Sequence, residues 1–259
     1  MARRGWPDLL SLGRPALGTW SQIASEECID MLGAAGLDFT VVDTEHGAFG
    51  IETAERLFRA CDANGLVPLV RVARADPFLV GQALDAGAAA IVVPGVSSAG
   101  LASAMVAASR FAPDGTRGAC PCVRAGRHFI TDWPRYVASQ RTGTAIIALV
   151  ETEAGLREIE AICAVEGLGA LMIGPFDLSV SLGFAGDYMA AEVQRAIDRM
   201  IAAARAHRLP VIAPIFDPDV SVARAQQLAW TDRGASHFVV GTDKILFASA
   251  AARFAVGLR

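Results

Sequence analysis

Lysine is nearly absent from this chain. Lys244 is the only one in 259 residues, so 22 of the 23 basic side chains are arginines. Schiff-base chemistry would therefore have a single candidate, and such a lysine needs a desolvated pocket that lowers its pKa. Lys244 stands in Gly-Thr-Asp-Lys after the apolar run ending at Val240, where a solvated lysine in the first turn of a helix is the plainer reading. Cysteine is scarce and odd in number, with five residues at positions 28, 61, 120, 122 and 163. Cys28, Cys61 and Cys163 fall in helical patterns and read as buried small hydrophobes. Cys120 and Cys122 form a C-x-C pair without the second ligand pair that zinc would need. No apolar run reaches the roughly 18 residues of a membrane span. The N-terminal segment Met-Ala-Arg-Arg-Gly-Trp-Pro-Asp lacks the apolar core of a signal peptide, so a cytoplasmic location without a membrane partner is expected. No basic run exceeds Arg3-Arg4 and the net charge is -4, which argues against a nucleic-acid partner.

What is present is an apolar chain, 53% hydrophobic, in which short β-like runs alternate with helical patterns along the whole length. The expected strands are Ala16–Trp20, Phe39–Asp43, Val67–Arg71, Ala90–Val93, Ala145–Val150, Ala170–Ile173, Val211–Ile215 and Ser236–Val240. Helical spacing marks Glu52–Ala63, Pro77–Ala86, Leu101–Phe111, Ala154–Val165, Val193–Ala206 and Val220–Ala229. Gly36, Gly65, Gly87, Gly167 and Gly234 fall where left-handed helix C-caps belong. Eight strands joined by crossover helices predict an α/β fold, a (β/α)8 TIM barrel. A doubly wound open sheet is the alternative, without the G-x-G-x-x-G turn that would support it. No linker or low-complexity segment divides residues 1–259, so a single domain is expected. The irregular stretch 112–136 is too long for an ordinary connection and reads as a functional loop, a lid or an oligomer contact.

In a barrel, the residues at strand C-termini meet in one mouth. Those ends carry Trp20, Asp43 with Glu45 and His46, Arg71, Pro94, Glu151 and Asp177. Two carboxylates from adjacent strands suit a hard divalent cation such as Mg²⁺ or Mn²⁺. Each residue also has a structural alternative: Arg71 and Asp43 as a buried ion pair, His46 as a loop histidine bonded to backbone, Asp177 as a helix cap. Their convergence on one mouth favours a site.

The blocks VVDTEH at 41–46, PLVRV at 68–72, LDAG at 84–87, DGTRG at 114–118, ALVET at 148–152 and IGPFDLS at 173–179 together resemble the HpcH/HpaI aldolase family. That resemblance implies a TIM-barrel lyase that cleaves 4-hydroxy-2-oxo acids or 2-keto-3-deoxy sugar acids reversibly to pyruvate and an aldehyde, through an enolate stabilised by a divalent metal ion (Mg²⁺, Mn²⁺ or Co²⁺). It assigns Glu151 and Asp177 to the metal, His46 to the base, and Asp85 from a neighbouring subunit to raising the basicity of His46. It also assigns Arg71 to the pyruvyl oxygen, the backbone from Gly174 through Phe176 to Asp177 to the carboxylate, and Trp20 to the aldehyde side. A homo-oligomer is implied, a hexamer of associated dimers, with the last helix, 243–257, packed on a neighbour. Two departures from the family pattern stand out. Leu149 replaces a glutamine that reaches the substrate, and Phe176 replaces a small residue before the metal aspartate, so a narrower and less polar acceptor pocket is expected. Arg117 and Arg124 in the long loop fit either a charged substrate tail or loop anchoring. The competing readings are a CoA-ester lyase of the citrate lyase β-subunit kind and a non-catalytic barrel.

Overall fold

The computed structural model describes residues 4–259; residues 1–3, including Arg3 of the Arg3-Arg4 pair, lie outside the described residues. Eight parallel strands close into a barrel in sequence order. They are β1 (Ala16–Ser21), β2 (Phe39–Asp43), β3 (Val67–Arg71), β4 (Ala90–Val93), β5 (Ala145–Val150), β6 (Leu168–Ile173), β7 (Val211–Ile215) and β8 (His237–Thr242). Five strands keep the bounds read from the sequence. The other three differ by register: β8 runs to Thr242 because Trp20 pairs with it across an irregularity in the β1–β8 ladder, and Leu168 joins β6 by pairing with Ile146.

The helices follow in turn: α1 (Trp6–Leu10), α2 (Glu26–Ala34), α3 (Ile51–Asn64), α4 (Pro77–Ala86), α5 (Ala99–Ser109), α6 (Trp133–Gly143), α7 (Glu153–Arg157), α8 (Ile159–Cys163), α9 (Pro175–Ser181), α10 (Ala191–Ala206), α11 (Val220–Arg233) and α12 (Asp243–Gly257). All five glycines expected at helix ends have positive φ, Gly87 at 105° among them, a region costly for residues with a Cβ.

Two apolar layers hold the barrel. Inward positions of the strands, such as Phe39, Val41, Leu69, Val92, Ile147, Leu149, Met172 and Val239, pack into an interior cluster. The alternate positions, such as Val42, Val70, Ile91, Ile146, Leu171 and Phe238, face the helices in the larger outer cluster. Strand residues buried on both faces read as near-continuous apolar runs, which is why the sequence marked them. The short α1 buries Trp6 and Leu9 against the interior cluster, with Trp6 stacked on His237 at 5.6 Å. This helix was not expected, because five residues carry no helical period.

Three expectations are corrected. The stretch Ala154–Val165 is two short helices, parted where Glu158 leaves helical geometry at φ -100° and ψ 15° and accepts the Ala99 N–H at the start of α5. The stretch 112–136 is not irregular throughout: α6 begins at Trp133, capped by the Asp132 carboxylate on the Arg135 N–H, and Arg124–Gly126 form a 3-10 turn. Cys28 is only half-buried, whereas Cys61 and Cys163 are buried as expected. No described helix is long and apolar enough to cross a membrane.

Candidate active site

The alternation that fills the interior also builds the site. On β2 the inward positions are Phe39, Val41 and Asp43; on β3 they are Val67, Leu69 and Arg71. Register pairs Asp43 with Arg71 at the C-terminal ends of these strands. On β5 the inward series Ile147, Leu149 continues to Glu151, and Val150 pairs with Ile173, which sets Glu151 beside Gly174. One mouth of about 360 Å³ therefore collects Trp20, His46, Arg71, Leu149, Glu151, Gly174, Phe176 and Asp177.

Arg71 is the fixed point of this mouth. Its Nε donates to Asp43 Oδ1 at 2.9 Å and its Nη2 to Asp43 Oδ2 at 2.6 Å, a bidentate pair. Nη1 lies 3.1 Å from Glu45, and the guanidinium sits 4.3 Å from the Trp20 ring centroid. Asp43 is held in turn by the Gln22 amide and by the N–H groups of Glu45 and His46. Burial works against the Asp43 charge, but Arg71 outweighs it and holds the carboxyl below its ordinary range. The ion pair expected as an alternative for Arg71 is thus present, and it aims the arginine at the mouth.

Glu151 is the opposite case. It is 9% exposed and its Oε1 accepts the Gly95 N–H at 2.8 Å. Burial pushes its carboxyl up to about 7; the Gly95 N–H opposes the rise, and Asp177 and Glu45 add to it. A carboxylate so crowded by others is short of positive charge. Gly174 makes room for it, since a Cβ there would fall 2.7 Å from Glu151 Oε2. Asp177 is exposed in the first turn of α9, where Gly174 rather than Asp177 is the N-cap. Glu151 and Asp177 form an all-oxygen donor pair, which fits a hard cation that completes its shell with water and substrate oxygens. The described residues hold no group of three or more His, Cys, Asp or Glu placed to bind a metal by themselves.

His46 lies exposed on the rim, in the turn after β2. Within the chain Asp85 is not brought to it. Asp85 lies on α4, pairs with Arg117 Nη2 at 2.6 Å, and faces a different cavity. Arg117 and Arg124 serve as loop anchors. The Arg117 side chain is fully buried, bonded to Asp85 and Gln140 and stacked on Phe111, while Arg124 bonds Asp62 and the Ala86 carbonyl. Lys244 is exposed on α12, outside the mouth and without the desolvation a Schiff base needs.

Wall residues that sequence reasoning missed include Gln22, Pro214, Phe216, Gly241, Thr242 and Ile245. Phe216 was findable, since it continues the inward series Ile212, Pro214 of β7 by one more alternation. Gln22 and Ile245 sit beyond strand ends that the sequence placed one or two residues early.

Comparison with known proteins identifies the family. The family model described as HpcH/HpaI aldolase/citrate lyase matches residues 16–250. A hydroxypyruvate/pyruvate aldolase of Roseovarius nubinhibens is 32% identical over 243 residues, covering 93% of this chain and 91% of the relative. A 5-keto-4-deoxy-D-glucarate aldolase of Klebsiella pneumoniae is 33% identical over 241 residues, covering 92% and 90%. The crystal structure of an HpcH/HpaI aldolase/citrate lyase family protein from Burkholderia cenocepacia superposes with a TM-score of 0.87 at 31% identity, covering 97% of each chain. By its sequence over almost the whole barrel, this chain belongs to the HpcH/HpaI aldolase/citrate lyase family.

Proposed function

We propose that the protein is a divalent-metal-dependent pyruvate aldolase, a carbon–carbon lyase that cleaves a 4-hydroxy-2-oxo acid reversibly to pyruvate and an aldehyde. The observation that carries this reading is the crowding of Glu151, Asp177 and Glu45 around one fixed arginine in the mouth. Glu151 and Asp177 would hold the cation, Mg²⁺, Mn²⁺ or Co²⁺. When bound, it supplies Lewis-acid polarisation of the 2-oxo carbonyl and offsets the carboxylate charge.

The chain's own groups do the rest. His46 takes the proton of the C4 hydroxyl, the C3–C4 bond breaks, and its electron pair passes into the enolate of pyruvate as the aldehyde leaves. A proton then returns to C3 to give the methyl group. Arg71 sets positive charge where the enolate oxygen develops, and its bidentate hold on Asp43 means that little reorganisation is needed. The Phe176 and Asp177 N–H groups at the start of α9 receive the substrate carboxylate, and Trp20 walls the aldehyde side. Asp85 of a neighbouring subunit would complete His46. Positioning of that kind requires a homo-oligomer, a hexamer by the family pattern, and α12 supports one: Phe247, Phe254 and Val256 are each over 70% exposed. A CoA-ester lyase finds less support, because the mouth's one arginine is already engaged and no cationic cradle for CoA phosphates lines it among the described residues.

Pyruvate release from a 4-hydroxy-2-oxo acid, followed after exhaustive chelation and again after adding back each cation, tests the proposal. Activity lost on chelation and restored by a divalent ion is expected. Full activity in the stripped protein would sink the metal assignment.

A further inference from the structure

The mouth does not end at the catalytic groups. A second chamber of about 180 Å³ adjoins it and shares Pro175, Pro214 and Phe216 with it. Phe216, 37% exposed, therefore stands as the partition between the two, its ring 5.3 Å from that of Tyr188. The mouth that Phe216 borders also carries the apolar side chains Leu149, Phe176 and Ile245. Phe176 is seated despite its exposure: a Cβ at Gly186 would fall 2.9 Å from its ring, so the loop after α9 closes against it.

Beyond the partition the wall is mostly apolar, with Tyr188, Met189, Ala229 and Trp230; the Gln226 amide also lines it, and its one charged group, Arg233, is engaged by its neighbours. Arg233 donates from Nε to Asp198 at 2.9 Å, from Nη1 to Gln194 Oε1 at 2.8 Å and from Nη2 to the Gln194 carbonyl at 3.3 Å. Its guanidinium also lies 4.7 Å from the Trp230 ring centroid, and Gln194 Nε2 donates to the Tyr188 carbonyl. A carboxylate tail entering here would leave its hydration shell and find the one cation of the wall already paired, which is costly. An apolar tail would lose only water contacts.

Resting on the aldolase reading, the geometry points to this side chamber as the binding site for the tail of the acceptor aldehyde, and to unbranched or aromatic apolar aldehydes as the acceptor class. The tail passes Phe216 while the aldehyde carbon stays at the mouth. Each methylene that becomes buried should improve kcat/KM by up to about fourfold, the equivalent of about 0.8 kcal/mol.

The test is aldol addition of pyruvate to propanal, hexanal and glyceraldehyde, with pyruvate methyl-proton exchange measured on the same metal-loaded preparation. A kcat/KM for hexanal at least tenfold above that for propanal, with glyceraldehyde below both, is expected. Ala229→Phe should fill the chamber and bring the hexanal-to-propanal ratio close to one. Met189→Trp, which fills it from the loop side, should do the same if the first variant does not fold. A flat or inverted series in the parent protein, or a ratio that survives both filled variants, overturns the chamber assignment while exchange persists. Absence of exchange overturns the aldolase reading, and the chamber assignment with it.

Discussion

Arg71 and Asp43 are inseparable. Truncating either would strand a buried charge, at a cost of about 3–5 kcal/mol, so an alanine variant would mix stability with catalysis. Arg71→Lys is the cleaner change, because it keeps the charge and removes the planar fork. We expect its kcat to fall by about 10²–10³, the range for removing one positioned donor at a developing oxyanion, with the melting temperature lowered only modestly. Unchanged kcat would assign Arg71 to the fold alone. Asp177 is the reverse: exposed, in the first turn of α9. Asp177→Ala should shift unfolding free energy by less than about 0.5 kcal/mol, as surface substitutions usually do. Titration calorimetry should show loss of Mn²⁺ binding, and retained binding would remove this residue from the cation site. The positions of Asp43, Arg71 and Glu151 were legible before the fold because each ends or directly follows a strand that an apolar run marks. Asp85 was not: its place in the sequence says nothing of which chain it serves, and within one chain it serves Arg117.

At the level of elements, β8 and α1 carry a pH dependence. His237 begins β8, stacks on Trp6 and bonds Ser236 through Nδ1, while its Nε2 is buried without a hydrogen-bond partner. Burial lowers its pKa from 6.5 to about 4, with Asp38 opposing the drop. The unfolded chain therefore binds the extra proton between those values. The stabilisation is complete above pH 6.5 and is lost as pH falls toward 4, on the order of 3 kcal/mol in all at 1.36 kcal/mol per unit. Urea midpoints at pH 7 and pH 4.5 should differ less for His237→Phe than for the parent, and equal differences would contradict this assignment. The long loop gives a second expectation. Arg117 and Arg124 tie it to α4 and α3, so Arg117→Met should expose residues 118–131 to limited proteolysis before the barrel yields. Loops of this kind escape sequence reading, since an arginine that anchors and one that binds substrate look alike until their partners are known. Strand bounds read well because burial on both faces leaves long apolar runs. The helix split at Glu158 read poorly because a single side chain turning to cap α5 leaves no periodic trace.

On the scale of the whole molecule, the closed barrel makes the site a consequence of register. Eight strands in sequence order bring Trp20, Arg71 and Glu151 to one end although 131 positions separate the first from the last. The barrel leaves its last helix largely uncovered. Along α12 only Asp243 is buried, holding the Gln22 and Ile23 N–H groups, while Phe247, Phe254 and Val256 stay exposed. Under the proposed homo-oligomer these exposed apolar side chains are the association surface. Phe247→Asp with Phe254→Asp should shift sedimentation toward the monomer and lower activity together, if a neighbour's Asp85 serves His46. A monomer of full activity would separate assembly from catalysis. The most direct measurement for the mouth itself is proton–deuterium exchange at the pyruvate methyl group, followed by NMR in D₂O with chelator-stripped protein and then with Mg²⁺, Mn²⁺ or Co²⁺. Exchange that needs the cation, and that Glu151→Gln abolishes, is the expected result. No exchange with any of the three ions would contradict enolisation of pyruvate at this site.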